Sequence, residues 1–444
     1  MIELTGWGRY PRHASQWLEA ETPAAVPALQ SGHAGLVARG NGRAYGDAAI
    51  GERVTLSTSR LDRFRVFDPA SGLLTVEAGV LLADILAALV PRGYFPAVVP
   101  GTKFVTVGGM IAADVHGKNH HRDGGFGAHV ESLELVLPDG QTLTCSPAEN
   151  AALFAATIGG MGLTGTIVEA TIRLRPVRTG WMRQRTIVAR DLDAAMAALA
   201  ETAGATYSVA WIDCLARGAS LGRSLVYAAE HATPEDVVAL RPGAEPFPLA
   251  RPGRLAVPLD LPGGMLNHAS IKAFNELYFR RGARRAGEPA LVDWDPYFFP
   301  LDGIADWNRI YGRAGFVQYQ CVIPPAAARA ALGEIVERIA RRGRASFLAV
   351  LKQLGDSSGT IAFARQGFTL ALDLPATADV LTLLDALDGV VVEAGGRLYL
   401  AKDARQSAAT FEAGYPGLPA FRELRRAVGA DGRIASRLSA RLAV

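Results

Sequence analysis

The sequence predicts an α+β fold in which an antiparallel sheet covered by helices forms the second half. Three observations lead to this prediction. Short apolar runs alternate with glycine-rich turns between residues 35 and 176, a pattern of short strands. Asp139-Gly140 separates two alternating runs, which is a hairpin signal. From Gly315 onward the apolar patterns follow the order strand, helix, strand, strand, helix, strand, which is the split-βαβ arrangement.

The elements of the first part follow from apolar spacing and from the residues that end each run. Alternation or a short buried run indicates a strand, and apolar residues at helical spacing that stop at Pro91 and Gly93 indicate a helix. The predicted elements are a strand over Gly35–Gly40, a strand over Leu73–Ala78, a helix over Leu81–Leu89, a hairpin of Ser132–Leu137 with Gln141–Thr144, and a strand over Thr166–Leu174.

A domain boundary is predicted at Arg178–Gly180, just after Pro176. The Pro-rich stretch Pro242–Pro262 is expected to be surface loop, and the tail Gln406–Val444 is expected to be mostly helical. The predicted elements in between are strands Tyr207–Leu215, Phe316–Ile323, Ser346–Leu351, Phe368–Leu374 and Arg397–Leu400, and helices Ala326–Arg341 and Ala378–Leu387.

Composition excludes several classes of protein. The chain has 444 residues, 49% hydrophobic and 20% charged, with a net charge of +3, so disorder and electrostatic nucleic-acid binding are excluded. Three scattered cysteines without a CxxC motif exclude disulfide frameworks and zinc sites and indicate a reduced, cytoplasmic compartment. Residues 1–21 do not resemble a signal peptide. Every apolar stretch of spanning length contains a charge. Peripheral contact with the inner face of a membrane stays open.

Three glycine-rich segments carry the chemical signals. Ala38–Asp47 has glycines at 40, 42 and 46 with Arg39 and Arg43, which suits a phosphate cradle. Its third glycine falls one position late for a nicotinamide fingerprint, and no helical pattern follows. The other two segments are Pro100–His121 and Thr157–Ile167. Each is equally compatible with an ordinary tight connection, but three of them together suit one extended ligand.

Three histidines, His116, His120 and His121, lie within six residues of the second segment. They raise the question of a metal site. His120 and His121 are adjacent, so their side chains point apart on any regular element and do not share an ion. We therefore predict no metal.

In this order the three segments resemble the FAD-binding domain of the vanillyl-alcohol-oxidase-type flavoproteins. His116-Gly117-Lys118-Asn119-His120-His121, Gly395–Tyr399 and Ala401-Lys402-Asp403 are similar to strings in one group of these proteins. That group is the family of flavin (oxidase) subunits of decaprenylphosphoryl-β-D-ribose 2′-epimerases. The resemblance implies a two-part FAD-binding domain formed by residues 1–180 and 397–444, with a substrate-binding domain over 181–396.

The resemblance also implies FAD, bound non-covalently, and assigns the residues that hold it. These cofactor residues are Ala38, Arg39, Gly40, Asn41, Gly42, Arg43, Ala44, Tyr45, Gly46, Asp47, Ala48, Gly101, Thr106, Val107, Gly108, Gly109, Ala113, Asp114, Val115, His116, Ile167 and Tyr399.

For the substrate pocket the resemblance implies Tyr45, His116, Lys118, Gln318, Gln320, Lys352 and Lys402. Only five of the 46 Lys+Arg residues are lysines, so a lysine within a motif suggests a need for a compact, titratable ammonium. We predict that Lys402 takes the proton of a sugar hydroxyl while hydride leaves to the flavin. His116 is expected to support the flavin more than to act as base, and Lys118 and Lys352 to bind an anionic group.

The implied reaction is oxidation of the 2′-hydroxyl of a polyprenylphosphoryl-β-D-ribose to the 2′-keto sugar. Its implied partners are the polyprenyl-phosphate sugar, a quinone or other electron acceptor, and a separate NAD(P)H-dependent ketoreductase. One departure is Ala371, where mycobacterial members have a pocket cysteine. Two alternatives stay open: a sugar or alditol oxidase that uses oxygen, and a non-enzymatic flavin-binding protein.

Overall fold

Three sheets form the framework of the described part of the chain. The structure is a computed structural model, and it describes residues 1–249, 255–262, 267–343 and 348–444. The first sheet has the order β1-β2-β4-β3, in which β4 runs parallel to both of its neighbours. The second has the order β5-β6-β10-β8-β9, with β7 also on β10, and is antiparallel. Their strands are β1 (Ile2–Thr5), β2 (Arg12–Glu19), β3 (Leu36–Arg39), β4 (Val54–Ser57), β5 (Phe64–Asp68), β6 (Leu73–Glu77), β7 (Tyr94–Pro96), β8 (Val130–Val136), β9 (Thr142–Cys145) and β10 (Thr166–Pro176).

The third sheet has eight strands in the order β15-β11-β13-β12-β18-β19-β17-β20, and β14 pairs with β16 outside it. Every recorded pairing within the large sheet is antiparallel. These strands are β11 (Trp181–Ala189), β12 (Tyr207–Ile212), β13 (Ser224–His231), β14 (Leu255–Ala256), β15 (Ala290–Asp293), β16 (Ile304–Ala305), β17 (Phe316–Ile323), β18 (Ala349–Leu354), β19 (Gly367–Pro375) and β20 (Arg397–Leu398).

The helices are short except for three that cover the large sheet or its edge. They are α1 (Val26–Ser31), α2 (Leu82–Leu89), α3 (Val107–Ala112), α4 (His120–Asp123), α5 (Ala151–Thr157), α6 (Leu192–Glu201), α7 (Pro234–Leu240), α8 (His268–Ala283), α9 (Trp294–Phe298), α10 (Pro325–Arg342), α11 (Ala378–Glu393), α12 (Ala408–Gly414), α13 (Leu418–Ala427) and α14 (Arg437–Leu442). Within the described ranges, none is long and apolar enough to cross a bilayer.

The two faces of the large sheet have different roles. Helices α6, α10 and α11 cover one face, where residues such as Tyr319, Cys321 and Leu372 are completely or almost completely buried in an apolar core. Because side chains alternate along a strand, the neighbouring residues Gln318, Gln320 and Ala371 point to the other face and line a cavity. The sheet therefore supplies a packed core on one side and one wall of the cavity on the other.

The C-terminal helices pack against the first part of the chain. Phe411 and Phe421 share an apolar cluster with Ala48, Met161 and Leu163. Arg425 also donates from its buried guanidinium to the Leu163 carbonyl oxygen at 3.0 Å. The tail thus lies beside two of the glycine-rich segments.

The predicted α+β class and the split-βαβ order are confirmed, since β17, α10, β18, β19, α11 and β20 follow each other as predicted. The predicted strand Ser346–Leu351 starts outside the described residues, and its observed part runs on to Leu354. Part of Pro242–Pro262 also lies outside them. The prediction that strand Arg397–Leu400 reaches Leu400 is wrong. The chain turns there, because the Lys402 and Asp403 amides both donate to the Tyr399 carbonyl oxygen.

Candidate active site

A cavity of about 580 Å³ lies between the glycine-rich loops and the open face of the eight-stranded sheet. Loops 38–49, 99–109 and 161–167 form one side, and β12, β17, β18 and β19 contribute side chains to the other. The turn that carries Tyr399, Ala401 and Lys402 closes one end. All three glycine-rich segments thus reach a single cavity.

The loop that follows β3 is shaped to approach a ligand with its backbone. A Cβ atom on Gly40 would lie 2.1 Å from Thr106 Oγ1, so only glycine allows the two loops to touch. Gly42 has a φ of 62°, which favours glycine. The N–H groups of residues 40–44 donate to no acceptor among the described residues. These unpaired N–H donors are available to bind an anion.

Arg43 adds a positive charge to the same loop. Its guanidinium lies 3.9 Å from the centre of the Trp7 ring, and its Nε is buried with no partner in the described part of the chain. Arg43 lines the cavity. A buried donor without a partner is costly unless a ligand satisfies it.

His116 lines the cavity as a neutral imidazole. Gln320 Nε2 donates to His116 Nε2 at 2.8 Å, which places the ring proton on Nδ1. Burial, followed by the charge of Lys352, holds the His116 pKa well below its usual value. Its Nδ1 is buried and finds no acceptor among the described residues. His116 is therefore a hydrogen-bond donor at neutral pH.

Lys118 and Lys352 are two half-buried lysines in the same cavity. Lys118 Nζ donates to the Tyr297 carbonyl oxygen and lies 4.3 Å from the centre of the Tyr297 ring. Burial and the charge of Lys352 lower the Lys118 pKa to about 7. Burial alone lowers the Lys352 pKa to about 8. An anion bound between them would raise both values by favouring the ammonium forms.

Lys402 lies at the start of the turn after β20, with Nζ 3.8 Å from the centre of the Tyr45 ring. Burial lowers the Lys402 pKa, while the carboxylate of Asp373 on β19 opposes that effect. Burial in turn raises the Asp373 pKa. The turn thus brings a readily deprotonated lysine into the cavity.

The structure brings together all seven residues predicted for the substrate pocket, and most of those predicted for the cofactor. The predicted residues that line the cavity are Ala38, Gly40, Asn41, Gly42, Arg43, Ala44, Tyr45, Ala48, Gly101, Thr106, Gly108, Gly109, Ala113, Val115, His116, Lys118, Ile167, Gln318, Gln320, Lys352, Tyr399 and Lys402.

Five predicted cofactor residues lie behind the cavity lining. Arg39 donates to the Thr5 carbonyl oxygen at 2.8 Å, and Asp47 accepts from Arg441 at 2.9 Å. Val107 is fully buried in the apolar core. Asp114 accepts from the Gly127 amide and the Ser357 hydroxyl, and Gly46 packs against the Asp403 carbonyl oxygen. Their contacts are with the protein, and they support the loops.

Sequence reasoning missed Asp373, the aromatic residues Tyr297, Trp307 and Phe363, and Thr369, whose Oγ1 accepts from Gln320 Nε2 at 3.2 Å. Phe363 stacks on Tyr399 with ring centres 4.6 Å apart. Asp373 could have been found, because a charged residue inside a strand with Leu370, Leu372 and Leu374 on its other face indicates a polar site on its own face. The aromatic residues come from two connecting segments, before β17 and between β18 and β19, that have no periodic signal.

His120 and His121 do not join His116 in a metal site. His120 Nδ1 accepts from the Gly355 amide at 3.0 Å, and His121 Nε2 lies 3.0 Å from the Ala205 carbonyl oxygen. Within the described ranges no three His, Cys, Asp or Glu side chains form a group that could hold a metal.

Comparison with known proteins identifies the family. The FAD-binding domain family matches residues 19–146. The chain is 36% identical, over 99% of its length and 97% of the relative's, to decaprenylphosphoryl-β-D-ribose oxidase of Mycolicibacterium smegmatis. The chain belongs to the decaprenylphosphoryl-β-D-ribose oxidase family. It is an FAD-dependent oxidoreductase.

Two further relatives cover different shares of the chain. An uncharacterized protein of Streptomyces coelicolor is 38% identical over 82% of this chain and all of its own length. D-arabinono-1,4-lactone oxidase of Yarrowia lipolytica is 29% identical over 34% of this chain and 31% of its own length. The similarity to the lactone oxidase thus covers about a third of each chain.

The residues of the cavity fit FAD. The unpaired N–H groups of residues 40–44 and the buried Nε of Arg43 are donors of the kind that a pyrophosphate satisfies. Gly40 keeps a Cβ atom out of the space where its loop meets Thr106. The free Nδ1–H of His116 is a further donor within the same cavity.

Proposed function

We propose that this protein oxidises the 2′-hydroxyl of a polyprenylphosphoryl-β-D-ribose to the 2′-keto sugar, the first half of a 2′-epimerisation that yields the arabinose donor. One observation carries the proposal: the loops that fit FAD and the three lysines Lys118, Lys352 and Lys402 line one cavity. The full-length similarity to decaprenylphosphoryl-β-D-ribose oxidase supports the substrate class.

Lys402 is the proposed base. FAD, when bound, supplies the acceptor for the hydride that leaves C2′. Lys402 Nζ takes the proton of the 2′-hydroxyl, and its lowered pKa keeps a useful fraction of the amine neutral. The Tyr45 ring, 3.8 Å from Nζ, limits where the amine can lie. The O–H bond breaks as the N–H bond forms, and the amine becomes an ammonium.

The remaining polar groups bind and orient. Lys118 and Lys352 are proposed to hold the substrate phosphate, because each gains a proton more easily beside an anion. Gln320 fixes the ring of His116, whose Nδ1–H is then free to donate to the cofactor. Gln318 forms part of the polar wall for the sugar. The cofactor residues that line the cavity are proposed to hold FAD.

The wider assignments are proposals of the same kind. Residues 1–180 and 397–444 would hold FAD and residues 181–396 the substrate. The electrons would pass to a quinone or another acceptor. The keto sugar would be reduced by a separate NAD(P)H-dependent ketoreductase. We place the protein in the cytoplasm with peripheral contact at the inner face of the membrane, where it would reach a prenyl-anchored substrate.

The test uses the purified yellow protein with polyprenylphosphoryl-β-D-ribose, polyprenylphosphoryl-arabinose, free ribose and an alditol. Each is assayed with oxygen and with a quinone analogue or redox dye. Trapping the product with borodeuteride and locating the deuterium by mass spectrometry identifies the oxidised carbon. We expect dye-linked turnover of the ribose lipid with deuterium at C2′. Turnover of free sugars or alditols with oxygen alone would favour a sugar oxidase instead.

A further inference from the structure

Asp373 is a buried carboxylate directly behind the cavity wall. It lies opposite Gln318 in the pairing of β17 and β19 and is completely buried. Gln318 Nε2 donates to its Oδ1, whereas its Oδ2 is buried without a partner in the described part of the chain. A buried carboxylate with only one oxygen hydrogen-bonded is costly, which suggests that it stabilises a positive charge in the cavity.

Gln318 and Tyr45 connect Asp373 with Lys402. Gln318 lines the cavity, and its side chain lies near enough to Tyr45 to lower the Tyr45 pKa against the effect of burial. Lys402 Nζ lies over the Tyr45 ring. Asp373, Gln318, Tyr45 and Lys402 therefore form one connected group at the end of the cavity where the turn enters.

Of the three cavity lysines, Lys402 is the one whose charge state Asp373 affects. Its negative charge favours the ammonium form of Lys402. Burial and the charge of Lys352 disfavour the ammonium form of Lys118, and burial disfavours the ammonium form of Lys352. Among the described residues, no carboxylate is a cause of either shift. The charged and titratable groups that face Lys402 are Asp373 from β19, Lys352 from β18, Tyr45 from the first loop, and His116 from the second segment.

We propose that Asp373 is a positioning residue that acts through Lys402: its carboxylate is the counter-ion that Lys402 needs once it has taken the proton of the substrate hydroxyl. Proton transfer creates an additional ammonium in a cavity that already holds two other lysines. The negative charge of the Asp373 carboxylate, where it is ionised, offsets that repulsion without touching the substrate. The inference rests on the proposed role of Lys402 as base.

The variant Asp373→Asn tests this role, since an amide oxygen can still accept from Gln318 while the charge is removed. Without the counter-ion the pKa of Lys402 should fall further, by about one pH unit or more. The acid limb of the rate of flavin reduction should then move to lower pH by the same amount. The plateau rate should fall about tenfold, because a weaker base removes the proton less readily.

The Lys402 pKa is measured directly on the FAD-loaded protein. Competitive acetylation over a range of pH, followed by peptide mass spectrometry, reports the neutral fraction of this one amine independently of turnover. Asp388→Asn is the matched control. Asp388 is also a buried carboxylate whose pKa burial raises, but it pairs with Arg405. That control should lose stability and leave the Lys402 pKa unchanged.

A lower Lys402 pKa in Asp373→Asn, together with a shifted acid limb, supports the proposal. An unchanged Lys402 pKa overturns it. A lower pKa with an unmoved limb also overturns it, because Lys402 would then not be the base. Wild-type activity on the ribose lipid, measured first, separates these results from failure of the proposed function. Asp373→Ser supplies a second neutral replacement if the Asn variant does not fold.

Discussion

Replacing Lys402 removes the proposed base and should slow chemistry without releasing the cofactor. The amine lies over the Tyr45 ring, and desolvation lowers its pKa. Loss of general-base assistance costs roughly 10²–10⁴ in rate. Lys402→Ala should therefore slow anaerobic flavin reduction by that factor. FAD content should stay near wild type, because the loop of Gly40 and Arg43 is untouched.

Two further variants separate the charge of Lys402 from its basicity. Lys402→Arg keeps a positive charge that cannot be given up near neutral pH, so it should be as slow as Lys402→Ala. Lys272→Ala removes an exposed lysine of α8 and should bleach at the wild-type rate. The assay is stopped-flow absorbance at the flavin band over a range of substrate concentrations. A Lys402→Ala protein that holds FAD and bleaches at the wild-type rate would exclude Lys402 from the chemical step.

Four other outcomes are expected. Arg441→Gln breaks ion pairs of 2.9 Å to two buried carboxylates, so it should cost about 3–5 kcal/mol of stability and cause loss of FAD. Arg422→Ala breaks a more exposed ion pair and should cost at most about 1 kcal/mol. Thermal melts and flavin absorbance measure stability and FAD content in both variants, and equal losses of stability would contradict the difference between buried and exposed pairs. Acid precipitation should release all flavin to the supernatant; flavin that stays on the pellet at unit stoichiometry would show a covalent bond. Nitroaromatic compounds that bond to a pocket cysteine in mycobacterial members should give no adduct here and one adduct in Ala371→Cys, since Ala371 lines the cavity; intact mass after turnover decides. Between its folded-state pKa of about 7 and the pKa of 10.5 of an unperturbed lysine, Lys118 binds fewer protons in the folded than in the unfolded state. Its burial therefore costs stability below pH 7, and this cost shrinks as pH rises. Lys118→Met should therefore stabilise the FAD-free protein by about 3 kcal/mol more at pH 6.5 than at pH 9.5, measured by denaturant unfolding; a gain independent of pH would contradict the lowered pKa.

Local sequence signals predicted the parts of the fold that depend on local chemistry. Val54–Ser57 follows the first glycine-rich loop as a strand and not a helix, in line with the absence of helical spacing there. The hairpin around Asp139-Gly140 pairs β8 with β9 in antiparallel register. In both cases turn residues and alternation are local, so the sequence contains the information.

Non-local packing accounts for what the sequence did not predict. The split-βαβ unit was predicted, but its extension by β11, β12, β13 and β15 into eight strands depends on which edges meet. The end of β20 was misplaced because Tyr399 and Lys402 belong to an alternating pattern that a turn overrides. Asp373 was missed because only the pairing of β19 with β17 places it beside Gln318. Tyr297, which holds Lys118, is 179 residues distant in the chain.

The most direct measurement of the proposed chemistry is anaerobic reduction of the bound flavin by deuterated substrate. Polyprenylphosphoryl-β-D-ribose is prepared with deuterium at C2′ or at C3′, and each form is mixed with the oxidised protein in a stopped-flow instrument. We expect the C2′ label to slow bleaching and the C3′ label to leave it unchanged, because hydride leaves only C2′. Bleaching that is slowed by the C3′ label, or that is absent with this substrate, would contradict oxidation of the 2′-hydroxyl.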